Sequence, residues 1–170
     1  MKRIIVSVFV CLSFSLPLST RASTPENFVP FEPVHFDAHE LSVDAFGFYS
    51  ERDKSGVDKN TFGIGVGVNY FLTDTIGFSA ETYGDAFTTP YLITVSGIYR
   101  YAVPEWNLAA YGFAGGGREW EHAPQWLGHL GIGLEFRFTP NLAAFSDIRG
   151  VFPIETASHA LFRFGVRFKL

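Results

Sequence analysis

Hydrophobic residues alternate with small or charged residues along most of this chain. The clearest case is the segment 126–138, in which every second residue from Leu130 to Phe138 is apolar. The positions between them hold glycine, glutamate and arginine. Because successive side chains of a β-strand point to opposite faces, such a segment has one apolar face and one polar face. The pattern therefore predicts amphipathic strands.

The same alternation recurs along the rest of the chain. It places seven strands at 39–51, 60–72, 75–87, 91–102, 107–119, 126–138 and 142–151, and an eighth strand at the end of the chain. The apolar faces are broad and rich in aromatic residues, which suits lipid outside and a polar interior. About eight strands of ~11 residues are enough to close a small barrel. The predicted fold is all-β, a transmembrane antiparallel up-and-down β-barrel of about eight strands.

Three local features add detail to this pattern. Residues 52–59 are polar and are predicted to form a loop. The inward parity of the second strand holds glycines at 63, 65 and 67, which would leave room in a narrow lumen. In the fifth strand the small residues suit either face, and we expect Tyr111 and Phe113 to face lipid.

The start of the chain has the organisation of a secretory signal. Two basic residues precede an apolar stretch from Ile4 to Leu18, and small residues lead to Ala22. This order predicts a signal peptide cleaved after Ala22. The stretch is too short for a comfortable helical span. The expected organisation is a signal peptide at 1–22, a Pro-rich periplasmic leader at 23–38 and an outer-membrane barrel at 39–170.

Composition narrows the class of protein further. The only cysteine, Cys11, lies in the predicted signal peptide, so disulfides are not expected in the mature chain. The formal net charge is −4, and no basic stripe points to nucleic acid. We therefore expect no nucleic-acid partner.

Charges of both signs share the inward parity of the predicted strands. The interior of an eight-stranded barrel is narrow enough for side chains to fill it. An unpaired charge there would be strongly destabilising, so these groups should pair across the lumen. The predicted lumen ion-pair network consists of Asp44, Glu81, Arg100, Glu135, Arg137, Asp147, Arg149, Arg163 and Arg167.

Three stretches, 63–81, 127–144 and 162–170, resemble the small eight-stranded outer-membrane barrels, the OmpA-like transmembrane domain and the OmpX-like group. The resemblance implies a monomer in outer-membrane lipid, assembled by the barrel assembly machinery through its C-terminal strand. It also implies a non-enzymatic role, either structural in the envelope or in surface interactions. One departure is the chain end: such barrels usually end on an aromatic residue, whereas here Phe168 is followed two positions later by Leu170.

Two other functions fit parts of the pattern. A narrow channel or a conduit for small molecules would use the same barrel with an open lumen. A soluble lipocalin-like ligand binder would need an apolar interior, and inward charges such as Glu135 and Arg163 oppose it.

Candidate chemistry is sparse. His35, Asp37 and His39 alternate as metal ligands could, but they lie in a Pro-rich leader without a distant fourth ligand. Barrel lipid A deacylases use serine and histidine near the outer rim, where this chain has Ser158 and His159, with Glu155 close by. Adjacent residues of a strand point to opposite faces, so this pair does not form a nucleophile and base. We expect no catalytic, cofactor or metal site.

Overall fold

The structure is a computed structural model that describes residues 34–54, 57–85, 92–120 and 124–170. For residues 51–54, 57–60 and 85 it describes the backbone alone. The predicted signal peptide and most of the predicted leader lie outside the described residues. In the part of the chain that is described, no helix is long and apolar enough to cross a membrane.

Eight antiparallel strands form a closed barrel, in which each strand pairs with its neighbours in sequence and β1 pairs with β8. The strands are β1 (Glu40–Lys54), β2 (Val57–Phe71), β3 (Ile76–Asp85), β4 (Leu92–Val103), β5 (Leu108–Glu119), β6 (Gln125–Thr139), β7 (Leu142–Pro153) and β8 (His159–Lys169). A short 3₁₀ helix, Pro104–Trp106, joins β4 to β5. The predicted transmembrane up-and-down β-barrel of eight strands is confirmed.

The two ends of the barrel differ in their connections. We call the end that holds residue 34 and Leu170 the terminal end, and the opposite end the distal end. Tight turns at 72–75 and 140–141 close the terminal end, together with the 3₁₀ helix. The predicted loop at 52–59 is wrong, because β1 and β2 stay paired as far as Lys54 and Val57. The hydrogen-bonded ladder therefore continues beyond the apolar alternation.

The outer surface is predominantly apolar on every strand. Its exposed residues include Phe62, Ile64, Val95, Ile132, Phe164 and Val166. Trp106 is exposed at the terminal end, and Trp120 and Trp126 are exposed at the distal end. Aromatic residues at both ends of an apolar band are typical of barrels that span a bilayer.

The inner face packs aromatic rings against glycines of neighbouring strands. The prediction that Tyr111 and Phe113 face lipid is wrong: they are 6% and 7% exposed and point inward. In the β5–β6 register Tyr111 pairs with Gly133 and Phe113 pairs with Gly131. A Cβ added at Gly131 would lie 2.4 Å from Cζ of Phe113, so the ring occupies the space that the glycine leaves. The room that glycines make in the lumen is filled by aromatic side chains of neighbouring strands.

This packing predicts that Gly131→Ala is destabilising. The added methyl group would meet the Ile148 carbonyl oxygen at 2.4 Å as well as the Phe113 ring. Overpacking of this kind costs about 1–3 kcal/mol of unfolding free energy, measured by urea unfolding from lipid vesicles. Gly112→Ala is the control, because a Cβ there meets only the Gly131 carbonyl oxygen at 3.8 Å. Equal stability of the two variants would contradict the packing described.

Candidate functional site

The most distinctive chemistry of the described side chains lies in the lumen, where five arginines and five carboxylates are joined by ion pairs. Nine of the ten are the residues that the sequence analysis selected. The tenth, Glu40, was missed, although it shares its parity on β1 with Asp44. The members are Glu40, Asp44, Glu81, Arg100, Glu135, Arg137, Asp147, Arg149, Arg163 and Arg167.

Glu40 joins two strands near the terminal end. Its Oε1 atom accepts from Nη1 of Arg100 at 3.2 Å and from Nη2 of Arg137 at 2.5 Å. Arg137 also donates from Nε to Glu135 at 2.9 Å. All four side chains are almost fully removed from solvent. The carboxylate that the sequence analysis missed thus lies between two of the arginines that it selected.

Arg167 extends this chain of charges towards β1. Its Nε and Nη2 atoms each donate to one carboxylate oxygen of Asp44 at 2.8 Å, which is a bidentate contact. Its Nη1 atom donates to Glu135 at 2.5 Å. One guanidinium therefore neutralises parts of two carboxylates on different strands.

A second cluster is centred on Glu81. Its Oε2 atom lies 2.6 Å from Nη2 of Arg149 and 2.9 Å from Nη1 of Arg163. Arg163 also contacts both carboxylate oxygens of Asp147 at 2.7 Å. The Tyr111 hydroxyl donates to Asp147 at 2.9 Å. This bond gives the inward orientation of Tyr111 a second cause besides its packing against glycine.

Aromatic rings and aliphatic side chains fill the space around the charges. The Arg163 guanidinium lies 4.8 Å from the ring centre of Phe46, and that of Arg149 lies 4.8 Å from the ring centre of Phe113. Towards the distal end the interior contains more apolar side chains, although Glu119 and Gln125 are also buried there. Buried side chains there are Phe48, Leu92, Leu127, Val151 and Leu161. The lumen is packed on both sides of the ion pairs.

Residues 34–39, which we call the N-terminal strap, lie against the terminal end of the lumen. The backbone amide of Val34 donates to Oδ1 of Asn107 at 2.9 Å. The buried ring of Phe36 lies 4.1 Å from the Arg137 guanidinium and 5.0 Å from that of Arg100. A cation over the face of an aromatic ring is attracted by the ring quadrupole. The strap is thus bound to the arginines that Glu40 joins.

Polar contacts complete the attachment of the strap. Arg137 donates to the His35 carbonyl oxygen at 3.1 Å, and Arg100 donates to that of Asp37 at 3.4 Å. The Lys169 ammonium lies 2.6 Å from Oδ2 of Asp37, and this hydrogen bond lowers the pKa of Asp37. His39 contacts the Tyr70 hydroxyl at 3.0 Å. In residues 34–54, 57–85, 92–120 and 124–170, no three potential ligands converge on a metal site.

One contact resembles part of a catalytic site, and the sequence analysis did not single it out. Oγ of Ser96 lies 2.8 Å from Nε2 of His129, with both side chains buried. The two residues lie on β4 and β6, and Gly115 on β5 between them allows the close approach. Within the described part of the chain, Nδ1 of His129 has no hydrogen-bond partner. The pair therefore lacks the orienting group of a serine–histidine–acid site.

The residues considered for a rim hydrolase lie at the distal end. Ser158 and Glu155 are exposed in the connection between β7 and β8, and His159 is half-buried at the start of β8. The Glu155 amide donates to Oε1 of Gln125 at 3.2 Å.

This chain is similar to known proteins in structure, whereas comparisons of its sequence found no match. No protein-family model matches this sequence, and no curated protein matches it. The N-terminal barrel domain of Pseudomonas aeruginosa OprF matches with a TM-score of 0.63 at 20% identity, over 79% of this chain and 99% of that one. Neisserial surface protein A matches with a TM-score of 0.61 at 16% identity, over 76% and 97%.

A third match is Ail, the attachment invasion locus protein of Yersinia pestis, with a TM-score of 0.53 at 15% identity, over 77% of this chain and 97% of that one. Identities this low compare folds and not functions. The strand order, the closure by β1 and β8 and the apolar outer surface are shared features of that class of barrel. The chain has the fold of the small eight-stranded outer-membrane β-barrels, which its sequence resembles.

Proposed function

We propose that this chain is a non-enzymatic, non-conducting barrel of the bacterial outer membrane, with a structural role in the envelope or a role in surface interactions. The fold of the neighbouring structures and the apolar outer surface support the membrane location. Two of those neighbours are described by their names as a surface protein and an attachment protein. The surface-interaction part of the proposal follows that analogy.

The filled lumen carries the proposal. Five arginines balance five carboxylates in charge, and their ion-pair distances run from 2.5 to 3.2 Å. Hydrated ions would have to displace these contacts and pass the apolar residues at the distal end. The strap adds a second obstruction at the terminal end. These features favour a structural interior over the narrow channel or conduit.

The polar interior also opposes the two remaining alternatives. A lipocalin-like binder needs an apolar cavity, whereas Glu135 and Arg149 are completely buried inside this barrel. An enzyme of the serine–histidine type needs a nucleophile that substrate can reach. Ser96 is buried, and within the described residues its histidine partner has no orienting carboxylate, which opposes serine-type catalysis at this pair.

The remaining parts of the proposal concern export and assembly. We propose a signal peptide at 1–22, a leader at 23–38 and a monomeric barrel in outer-membrane lipid. The barrel assembly machinery would recognise the C-terminal strand, whose outward face carries Phe162, Phe164 and Phe168. Cell fractionation of the expressed chain, with N-terminal sequencing of the mature product, tests export and cleavage together.

Conductance tests the closed lumen. We expect the purified protein to give no steady single-channel currents in planar bilayers, because ion pairs and apolar side chains fill its interior. Removal of residues 34–39 is expected to leave it silent, since the ion pairs below the strap remain. A general porin in the same bilayer is the positive control. Large, steady currents from the folded protein would contradict this proposal and support the narrow channel instead.

A further inference from the structure

One residue breaks the apolar outer surface. Among the strand residues whose side chains the structure describes, Arg118 is the single charged residue on the outward parity. It lies near the distal end of β5, one position before the strand ends at Glu119. A charge on the lipid-facing side is costly near the bilayer midplane and tolerated near the headgroups. The position of Arg118 therefore corresponds to the headgroup level.

The surroundings of Arg118 are aromatic. Its guanidinium lies 5.4 Å from the ring centre of Trp126, its cross-strand neighbour on β6, and 5.7 Å from that of Trp120. All three side chains are exposed. Within the described residues, no carboxylate forms an ion pair with Arg118, in contrast to every arginine of the lumen. Its charge is thus available to a ligand.

An apolar groove lies further along β5, towards the terminal end, with Ala110, Gly112 and Ala114 in its lining. The last four outward positions before Arg118 on β5 hold only small residues, namely Ala110, Gly112, Ala114 and Gly116. Large side chains on the neighbouring strands form the walls, with Tyr99 on one side and Ile132 on the other. The groove has a volume of about 460 Å³ on the β3–β4 side and about 610 Å³ on the β6 side. Gly112 lines both parts.

We propose that the outward face of β5 binds one phosphorylated glycolipid of the outer leaflet, with a phosphate on Arg118 and an acyl chain in the groove. The inference rests on the proposed function, because that location places the distal end in the outer leaflet. Guanidinium groups bind phosphate oxygens in a bidentate manner.

The dimensions and the aromatic pair support this ligand. Eight residues separate Ala110 from Arg118, which is about 26 Å along a strand and more than half of a ~30 Å hydrocarbon core, even when the strand is tilted. An acyl chain attached at the headgroup level can pass over Gly116 and reach the groove, whose lining on β5 runs from Ala110 to Ala114. Indole rings offer flat apolar faces on which sugar rings pack, and a glycerophospholipid headgroup has no such ring. We therefore select the glycolipid over an anionic phospholipid.

Native mass spectrometry from a neutral detergent measures this binding directly. The folded protein is mixed with monophosphoryl lipid A or with phosphatidylglycerol, and the fraction that retains one lipid is followed against lipid concentration. We expect retention of one lipid A and weaker retention of phosphatidylglycerol. Arg118→Gln should weaken lipid A retention about fivefold, the effect of one interfacial cation.

Two further variants make the test specific. Gly112→Leu fills the groove without a backbone clash, since a Cβ there has its nearest contact at 3.8 Å, and it should also weaken retention. Lys59→Gln removes a cation from β2 towards the same end of the barrel and should leave retention unchanged. Unboiled gel migration verifies that each variant is folded.

Equal lipid A retention by folded wild type, Arg118→Gln and Gly112→Leu would overturn the site. Equal retention of phosphatidylglycerol and lipid A by the wild type would overturn the choice of glycolipid. Failure of the proposed function would be seen in a different measurement. The protein would then give steady single-channel currents, whether or not Arg118 is replaced.

Discussion

Arg167→Met is expected to lower the free energy of unfolding by about 3–5 kcal/mol, the usual cost of leaving a buried charge without its partner. Arg167 forms a bidentate contact with Asp44 and a further ion pair with Glu135. Methionine retains much of the side-chain volume but leaves Asp44 without its ion-pair partner. Urea unfolding from lipid vesicles, followed by tryptophan fluorescence, measures the loss.

Lys169→Met is a closely matched control, because it removes a cation from the next inward position of the same strand. Lys169 pairs with Asp37, whose side chain is 53% exposed, and solvated pairs are worth only about 0–1 kcal/mol. A second comparison removes Asp44 as well. Asp44→Leu combined with Arg167→Met should cost less than the sum of the single changes, because no lone carboxylate remains. Equal losses for Arg167→Met and Lys169→Met would show that the lumen is hydrated enough to screen its charges.

Ile132→Arg is expected to cost about 2–4 kcal/mol, because it places a cation on the lipid-facing side near the middle of β6. Ile132 is 70% exposed on the outer surface and makes no part of the lumen packing. In a soluble barrel a charge at such an exposed position would be tolerated well. The loss therefore measures contact with lipid, again by urea unfolding from vesicles.

Ile154→Arg separates membrane contact from exposure. Ile154 is 75% exposed, slightly more than Ile132, but it follows the last residue of β7 at the distal end. Near the interface the same substitution costs about 0–1 kcal/mol. If both isoleucines tolerate arginine equally, the apolar outer surface does not face a bilayer.

Local residue chemistry determined the class of fold. The alternation in β2, β6 and β8 specifies one apolar and one polar face for each strand, since the strand period is two whatever the partner strand. Eight such strands with polar inner faces have few solutions other than a closed barrel in lipid. For the same reason the inward position of nine lumen charges followed from parity alone.

Only the tertiary structure decided how those charges pair and which side two aromatic residues occupy. Pairing depends on register between strands and on distances across the lumen, as with Glu81 on β3 and Arg149 on β7. Tyr111 and Phe113 have apolar rings that suit lipid equally well. Their inward position follows from Gly133 and Gly131 on the neighbouring strand. The hydrophobic pattern along β5 contains no information about which residues lie opposite on β6.

The terminal end shows the same difference between what the sequence determines and what only the tertiary structure determines. Sequence pattern placed residues 34–38 outside the barrel strands, because three prolines precede them and alternation is absent. Their attachment to the lumen depends on Arg100 and Arg137, which are more than 60 residues away in sequence. Periodicity along the chain determined what each strand presents to lipid and to the lumen. Contacts between distant residues, which leave no period in the sequence, decided which groups meet inside.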